Sequence, residues 1–192
     1  MIKIVLASGS PRRKELLKLI VPNFEVIVSG ADETLNNNFS LEERVSELAY
    51  LKAKRVFDTL NGEKIVIGAD TIVVKNDKIY GKPKDKIDAK EMLKKLLDGD
   101  KSHDVITGLS VIIGKNGEYK EIKTYDKTKV YFTDISEREL DNWIDSGKAM
   151  DKAGGYGIQT EFGVFIDRIE GNYTTIVGLP IHKLYKILSS YK

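Results

Sequence analysis

Residues 64–74 read KIVIGADTIVV. Apolar side chains fall on both parities of this segment, so an extended chain here would need cover on both faces, as a central strand of an α/β protein has. Alternation places Val66, Gly68, Asp70, Ile72 and Val74 on one face. Asp70 is then a carboxylate in an otherwise apolar row, and burying it unpaired costs several kcal/mol. It requires a cation, hydrogen bonds, a metal ion or an exposed cleft. A structural ion pair and a general base both meet that requirement.

Working outward, Asn76–Asp77 turns this strand into another at 78–80. Upstream, Ser40 followed three residues later by Glu43 is a capping box that opens a long helix to about Asp58. Residues 2–7 are an apolar strand, Ser10 can cap and Pro11 can begin a helix, and 24–28 form a second strand. Downstream, 88–97 is a helix closed by Gly99. The segment 104–132 reads as three strands, the first two turning at Asn116–Gly117, and 136–145 is a capped helix ended by Gly147. A glycine-rich loop at 151–157 leads to a strand at 164–169 and a last helix from Pro180. The four prolines are scattered and no repeat or linker interrupts the chain, so the expectation is one α/β domain over 1–192 with a partly antiparallel sheet.

Composition removes several functions. The 31 Lys and Arg against 29 Asp and Glu leave a formal net charge of +2, with no bulk field to hold nucleic acid or an anionic membrane. The absence of cysteine excludes disulfides, thiolate nucleophiles and Cys-based metal sites. Two histidines are too few for a His-rich metal centre; His103 reads as a polar residue at a strand start, and Trp143 as a helix-to-sheet packing residue. No apolar run approaches the ~20 residues of a membrane span. The first basic residues follow the apolar stretch at the amino terminus, the wrong order for a secretory signal, and a cytoplasmic address is expected.

Further charges sit against local rules. Arg12 and Arg13 fall in the first turn of the helix after Ser8–Gly9–Ser10, where cations oppose the macrodipole; a solvated basic helix start and a phosphate cradle both explain them. Lys52 lies on the apolar stripe Leu41, Val45, Leu48, Val56, either snorkelling or aimed at a sheet-borne carboxylate. Pro83 holds Lys82 extended in a loop after the hairpin return. Asp32 and Glu33 form an exposed acidic loop or supply hard oxygen ligands for magnesium or manganese. Carboxylates, arginines and lysines on strand ends and helix starts, without soft ligands, suit a triphosphate with its divalent cation. No GxSxG occurs, which disfavours acyl transfer.

The segments LASGSPRRKELL (6–17), ADE (31–33), LAYLKAK (48–54), GADTIVV (68–74), GKPKD (81–85), SHDVITG (102–108), DKAGGYGIQ (151–159) and VGLP (177–180) together resemble the Maf proteins, nucleoside triphosphate pyrophosphatases associated with septum inhibition. The resemblance implies an elongated mixed sheet flanked by helices, with two lobes around a cleft, like the inosine triphosphate pyrophosphatases, and in many members a homodimer. It implies hydrolysis of a nucleoside triphosphate to the monophosphate and pyrophosphate with a divalent cation, Mg2+ or Mn2+. By this resemblance Asp70 matches the proton acceptor, and Glu33 an acidic residue near the metal and the attacking water. Ser8, Arg12, Arg13, Lys52 and Lys82 match phosphate-side residues, while Arg12, Thr71 and Gln159 match positions tied to substrate choice. The late motif resembles the branch acting on dTTP and UTP. Thr160–Glu161 and Lys148 depart from it, since members commonly have Gly after the glutamine and Glu at the lysine position. Asp70, Glu33 and the metal are thus expected to activate water for attack at the α-phosphorus. A non-catalytic nucleotide-binding regulator of septum formation and a phosphatase releasing orthophosphate are the rival readings.

Overall fold

The computed structural model describes residues 2–31 and 39–191. Among these residues there are seven strands and six helices, in the order β1 (Lys3–Leu6), α1 (Pro11–Lys18), β2 (Glu25–Val26), α2 (Leu41–Phe57), β3 (Lys64–Lys75), β4 (Lys78–Tyr80), α3 (Lys86–Leu97), β5 (Ser102–Lys115), β6 (Glu118–Phe132), α4 (Glu137–Asp145), β7 (Ile166–Glu170), α5 (Tyr173–Val177) and α6 (Ile181–Ser189). They form one mixed sheet in the order β2-β1-β3-β5-β6-β7, with β4 also on β3. β1 runs parallel to β2 and β3, whereas β3–β4 and β6–β7 are antiparallel.

The capping box is present: Ser40 Oγ accepts from the Glu43 N–H at 3.2 Å and the Glu43 carboxylate accepts from the Ser40 N–H at 2.9 Å. Those bonds to Ser40 hold the Glu43 carboxyl below the ordinary range. Three details differ from expectation. Residues 104–132 belong to two long strands, not three, because no Gly or Pro lies within 118–132 to end β6. The Asn116–Gly117 turn between them has φ of 53° and 83°, the paired left-handed geometry of a tight hairpin. Residues 161–165 form a 3₁₀ turn whose Phe162 N–H is taken by Thr160 Oγ at 3.4 Å, so β7 begins two residues late. Ser10 stands at the cap position of α1 with no side-chain capping bond.

The chain divides into two compact units. The first comprises Met1–Asp70, Thr107–Asp126 and Gly178–Lys192; the second comprises Thr71–Ile106 and Lys127–Val177. In the second, Phe162 is fully buried with its ring centroid 5.2–5.4 Å from those of Trp143, Phe132 and Tyr156.

In the first unit, Val5, Ala53, Val56, Val66 and Ile112 form a core between α2 and the sheet. The contact is unusually close. A Cβ added at Gly68 would lie 2.2 Å from the Ala49 carbonyl oxygen and 2.9 Å from the Ala53 nitrogen, and one at Gly108 would lie 2.2 Å from the Val45 carbonyl oxygen. Val45, Ala49 and Ala53 recur every four residues along one face of α2, and each is fully buried. Helix backbone therefore rests on strand backbone, which only glycine in the strand permits.

Gly68→Ala must push α2 off the sheet, since the opposing atoms are backbone. The expected loss is about 3 kcal/mol, at the upper end for overpacked cores, read as a fall of roughly 6–12 °C in Tm by thermal unfolding. Gly81→Ala, which meets nothing within 4 Å, should stay within about 0.5 kcal/mol of wild type.

Candidate active site

The order β2-β1-β3 means that the chain leaves β1 on one side and returns on the other, and ligands of open α/β sheets bind at the carboxyl ends of strands where this reversal occurs. The last paired position of β1 with β3 is Leu6 with Ile67. Ser8 stands two residues beyond Leu6 and Asp70 three beyond Ile67, so both lie at that switch point.

Ser8 is buried, and its hydroxyl oxygen accepts from the Ser10 N–H at 3.3 Å and from Arg13 Nη1 at 3.2 Å. A hydroxyl has two acceptor positions and one hydrogen. Both acceptor positions are occupied by donors, so the hydrogen is left to donate, and it meets no acceptor among the described residues. Arg13 also donates from Nε to the Gly178 carbonyl at 2.8 Å, a residue 165 positions away in sequence. α6, which follows Gly178, is held by the buried Asp126 carboxylate, 3.1 Å from Lys183 Nζ and 3.8 Å from His182 Nε2. Arg13 is therefore aimed by two fixed acceptors, with Arg12 half-buried beside it in the first turn of α1. No local pattern points to the Gly178 carbonyl; its segment, VGLP, enters the sequence reading as one of those that resemble the family.

Lys52 and Asp70 meet as the helical stripe suggested. Lys52 Nζ lies 2.5 Å from Asp70 Oδ1, with 13% and 14% of the two side chains exposed. Asp70 is two residues past Gly68 and shares its face, so the close seat of Ala49 and Ala53 on Gly68 brings the Lys52 ammonium to the carboxylate. Asp70 Oδ2 has no hydrogen-bond partner among the described residues. No group of three His, Cys, Asp or Glu side chains that could hold a metal occurs among them. An open, hard carboxylate oxygen still fits a Mg2+ or Mn2+ ion of the kind held by one or two carboxylates and substrate phosphates, and not by an all-protein cage. Glu33 and Asp32 lie outside the described residues.

Thr71, Lys82 and Gln159 belong to the second unit: Thr71 is half-buried on β3, and Lys82 and Gln159 are exposed in loops. The two departures from the family pattern pair with each other, Lys148 Nζ bonding the Glu161 carboxylate, and that bond holds the Glu161 carboxyl below its usual range. His103 is the second residue of β5, at the strand start as its sequence position suggests, and is buried there with Nε2 2.7 Å from the Tyr156 hydroxyl. Burial pushes His103 down to about 3 and raises Tyr156, so the imidazole is neutral and the phenol keeps its proton. Nε2 and the phenol share one hydrogen bond whose direction is set by the imidazole tautomer, and Nδ1 has no hydrogen-bond partner among the described residues.

A family model described as Maf-like protein matches residues 3–191. The proteins named dTTP/UTP pyrophosphatase from Alkaliphilus oremlandii and Bacillus anthracis are 48% and 45% identical over 189 residues, covering 98% of this chain and 96% and 95% of theirs. Among solved structures, a Staphylococcus aureus Ham1 protein aligns with TM-score 0.50 at 18% identity over 99% of this chain and all of that one. A HAM1 protein from Coxiella burnetii aligns with TM-score 0.50 at 12% identity over the same shares. These two share the fold.

Lys52→Met leaves the Asp70 carboxylate part-buried without its counter-ion, and about 3 kcal/mol of stability should be lost in denaturant unfolding. The double variant Lys52→Met/Asp70→Asn should recover part of that loss, because the stranded charge is gone.

Proposed function

The chain belongs to the Maf-like proteins, and on that footing we propose that it hydrolyses dTTP and UTP to the monophosphate and pyrophosphate. The observation that carries the reading is the Asp70 carboxylate at the switch point, one oxygen on Lys52 and the other open. A pure triphosphate binder gains nothing from an open carboxylate beside its anion, since like charge weakens binding. The regulator reading is not favoured.

In this mechanism Asp70 accepts the proton of a water molecule directed in line at the α-phosphorus. The new bond joins the water oxygen to that phosphorus, and the bond to the α–β bridging oxygen breaks, its electron pair leaving with pyrophosphate. Ser8 directs its free hydrogen to a phosphate oxygen, and Arg13, held by Ser8 and Gly178, presents its guanidinium to the same chain of anions. Arg12 and Lys82 add charge against the departing pyrophosphate. A phosphate oxygen also competes for the Lys52 ammonium, which loosens its hold on Asp70 when substrate is bound. Asp70, with Glu33 as the family resemblance implies, would hold a Mg2+ or Mn2+ ion brought with the nucleotide, and such an ion would supply charge neutralisation and a lower pKa for the attacking water. Positioning and electrostatics of this kind provide most of a phosphoryl-transfer acceleration. Gln159 offers both a donor and an acceptor to the pyrimidine edge common to thymine and uracil, and Thr71 lines the same choice. In the same reading the enzyme acts on free nucleotides in the cytoplasm, without nucleic acid or membrane, and a homodimer is the form that the family resemblance implies for many members.

Asp70→Asn, assayed on dTTP and UTP with Mg2+ by phosphorus NMR, should lower turnover about 10²–10³-fold, while wild type releases pyrophosphate. Near wild-type turnover would overturn the base assignment, and orthophosphate as the product would overturn the pyrophosphatase reading.

A further inference from the structure

The second unit contains a restraint on Lys82 that its exposed side chain does not reveal. The side chain has no ion pair or hydrogen bond among the described residues, so what the fold sets is the point from which it leaves the backbone. On one side Pro83, which is buried, keeps residue 82 extended. On the other, the carbonyl of Gly81 accepts the Gly154 N–H at 2.9 Å. Gly154 and Gly155 are left-handed, with φ of 69° and 75°. A Cβ on Gly154 would lie 3.1 Å from both methyl carbons of Val73, and one on Gly155 would lie 3.5 Å from Pro83 Cγ. The glycine pair thus lies between β3 and the 81–83 segment: a side chain on Gly154 would crowd Val73, one on Gly155 would make ordinary contact, and the left-handed backbone of both favours glycine.

The loop is itself pinned from behind. Trp143 Nε1 donates to the Gly155 carbonyl at 2.8 Å, the Gly155 N–H bonds the Lys152 carbonyl at 3.0 Å, and Tyr156 bonds the buried His103 at 2.7 Å. Phe132 packs against both rings, its centroid 4.7 Å from that of His103 and 4.9 Å from that of Tyr156. Three motifs of the chain, SHDVITG, DKAGGYG and GKPKD, therefore form one mechanical series: His103 fixes Tyr156, Tyr156 and Trp143 fix the glycine pair, and Gly154 fixes the carbonyl next to Lys82.

We propose that Gly154 is a positioning residue for Lys82, and that the DKAGGYG loop serves to aim this lysine at the leaving pyrophosphate as well as to carry Gln159. The proposal rests on the reading that Lys82 meets the triphosphate. Strain at a left-handed position and the contact with Val73 make Gly154→Ala displace the loop and with it the Gly81 carbonyl.

The test is a double-mutant cycle in kcat/KM for dTTP, with Tm recorded for every variant. Lys82→Ala and Gly154→Ala should each lower kcat/KM by about 10-fold or more, and Gly154→Ala should lower it by less than about 2-fold further in the Lys82→Ala background. Tyr156→Phe, which keeps the ring and removes only the hydroxyl, repeats the cycle should Gly154→Ala fold poorly; a loss of several-fold that vanishes without Lys82 supports the same coupling. Equal factors in both backgrounds, with Lys82→Ala impaired, would overturn the positioning role alone and leave the role of Lys82 standing. A fully active Lys82→Ala would overturn that role and the positioning proposal together. A merely structural loop would lower Tm in both backgrounds and give independent factors.

Discussion

The backbone of α2 lies on the backbone of β3 at Gly68 and of β5 at Gly108, closer than any side chain in the strands would permit. Much else in the first unit follows from that contact. Val45, Ala49 and Ala53 are the residues that can face it, and their four-residue spacing fixes the rotation of the helix about its axis. Once the rotation is fixed, Lys52 cannot point to solvent. It emerges one residue before Ala53, and Asp70 emerges two residues after Gly68 on the same face of the strand, so the ion pair is the geometric product of the glycine contact. A larger residue at 68 would move α2 off β3 and, with it, Lys52 away from Asp70.

The pair illustrates how a cost to the fold is turned to use. An ionised carboxylate in an apolar row needs a counter-ion, and Lys52 provides one. Only one carboxylate oxygen is consumed, which leaves the other available to a water molecule or to a hard cation. Ser8 shows the same economy in hydrogen-bond terms: Arg13 and the Ser10 amide fill its acceptor positions, so its hydrogen has nowhere to go but outward. Cations and a hydroxyl donor are thus held in place by the protein itself, which in the proposed mechanism keeps reorganisation small when charge develops on the leaving group.

How much of this was legible in the sequence depends on range. Asp70 stood out because period-two alternation exposes an intruder in an apolar row, and Lys52 because helical periodicity does the same. The capping boxes and the tight turn at Asn116–Gly117 are also local and were readable. The bond from Arg13 to the Gly178 carbonyl joins residues at opposite ends of the chain through a backbone atom, and no side-chain pattern reports it. β6 was misdivided because its charged run resembles a loop when judged by hydropathy, although nothing in it breaks a strand. The Lys148–Glu161 ion pair joins two exposed side chains, and no local pattern reports it.

The central claim is that Asp70, set by α2 and steadied by Lys52, directs water to the α-phosphorus. Hydrolysis of dTTP by the wild-type enzyme in ¹⁸O-labelled water, with the products separated and weighed by mass spectrometry, tests it most directly. The account predicts the label in the nucleoside monophosphate and none in the pyrophosphate. Label in the pyrophosphate would mean attack at the β-phosphorus and would contradict it.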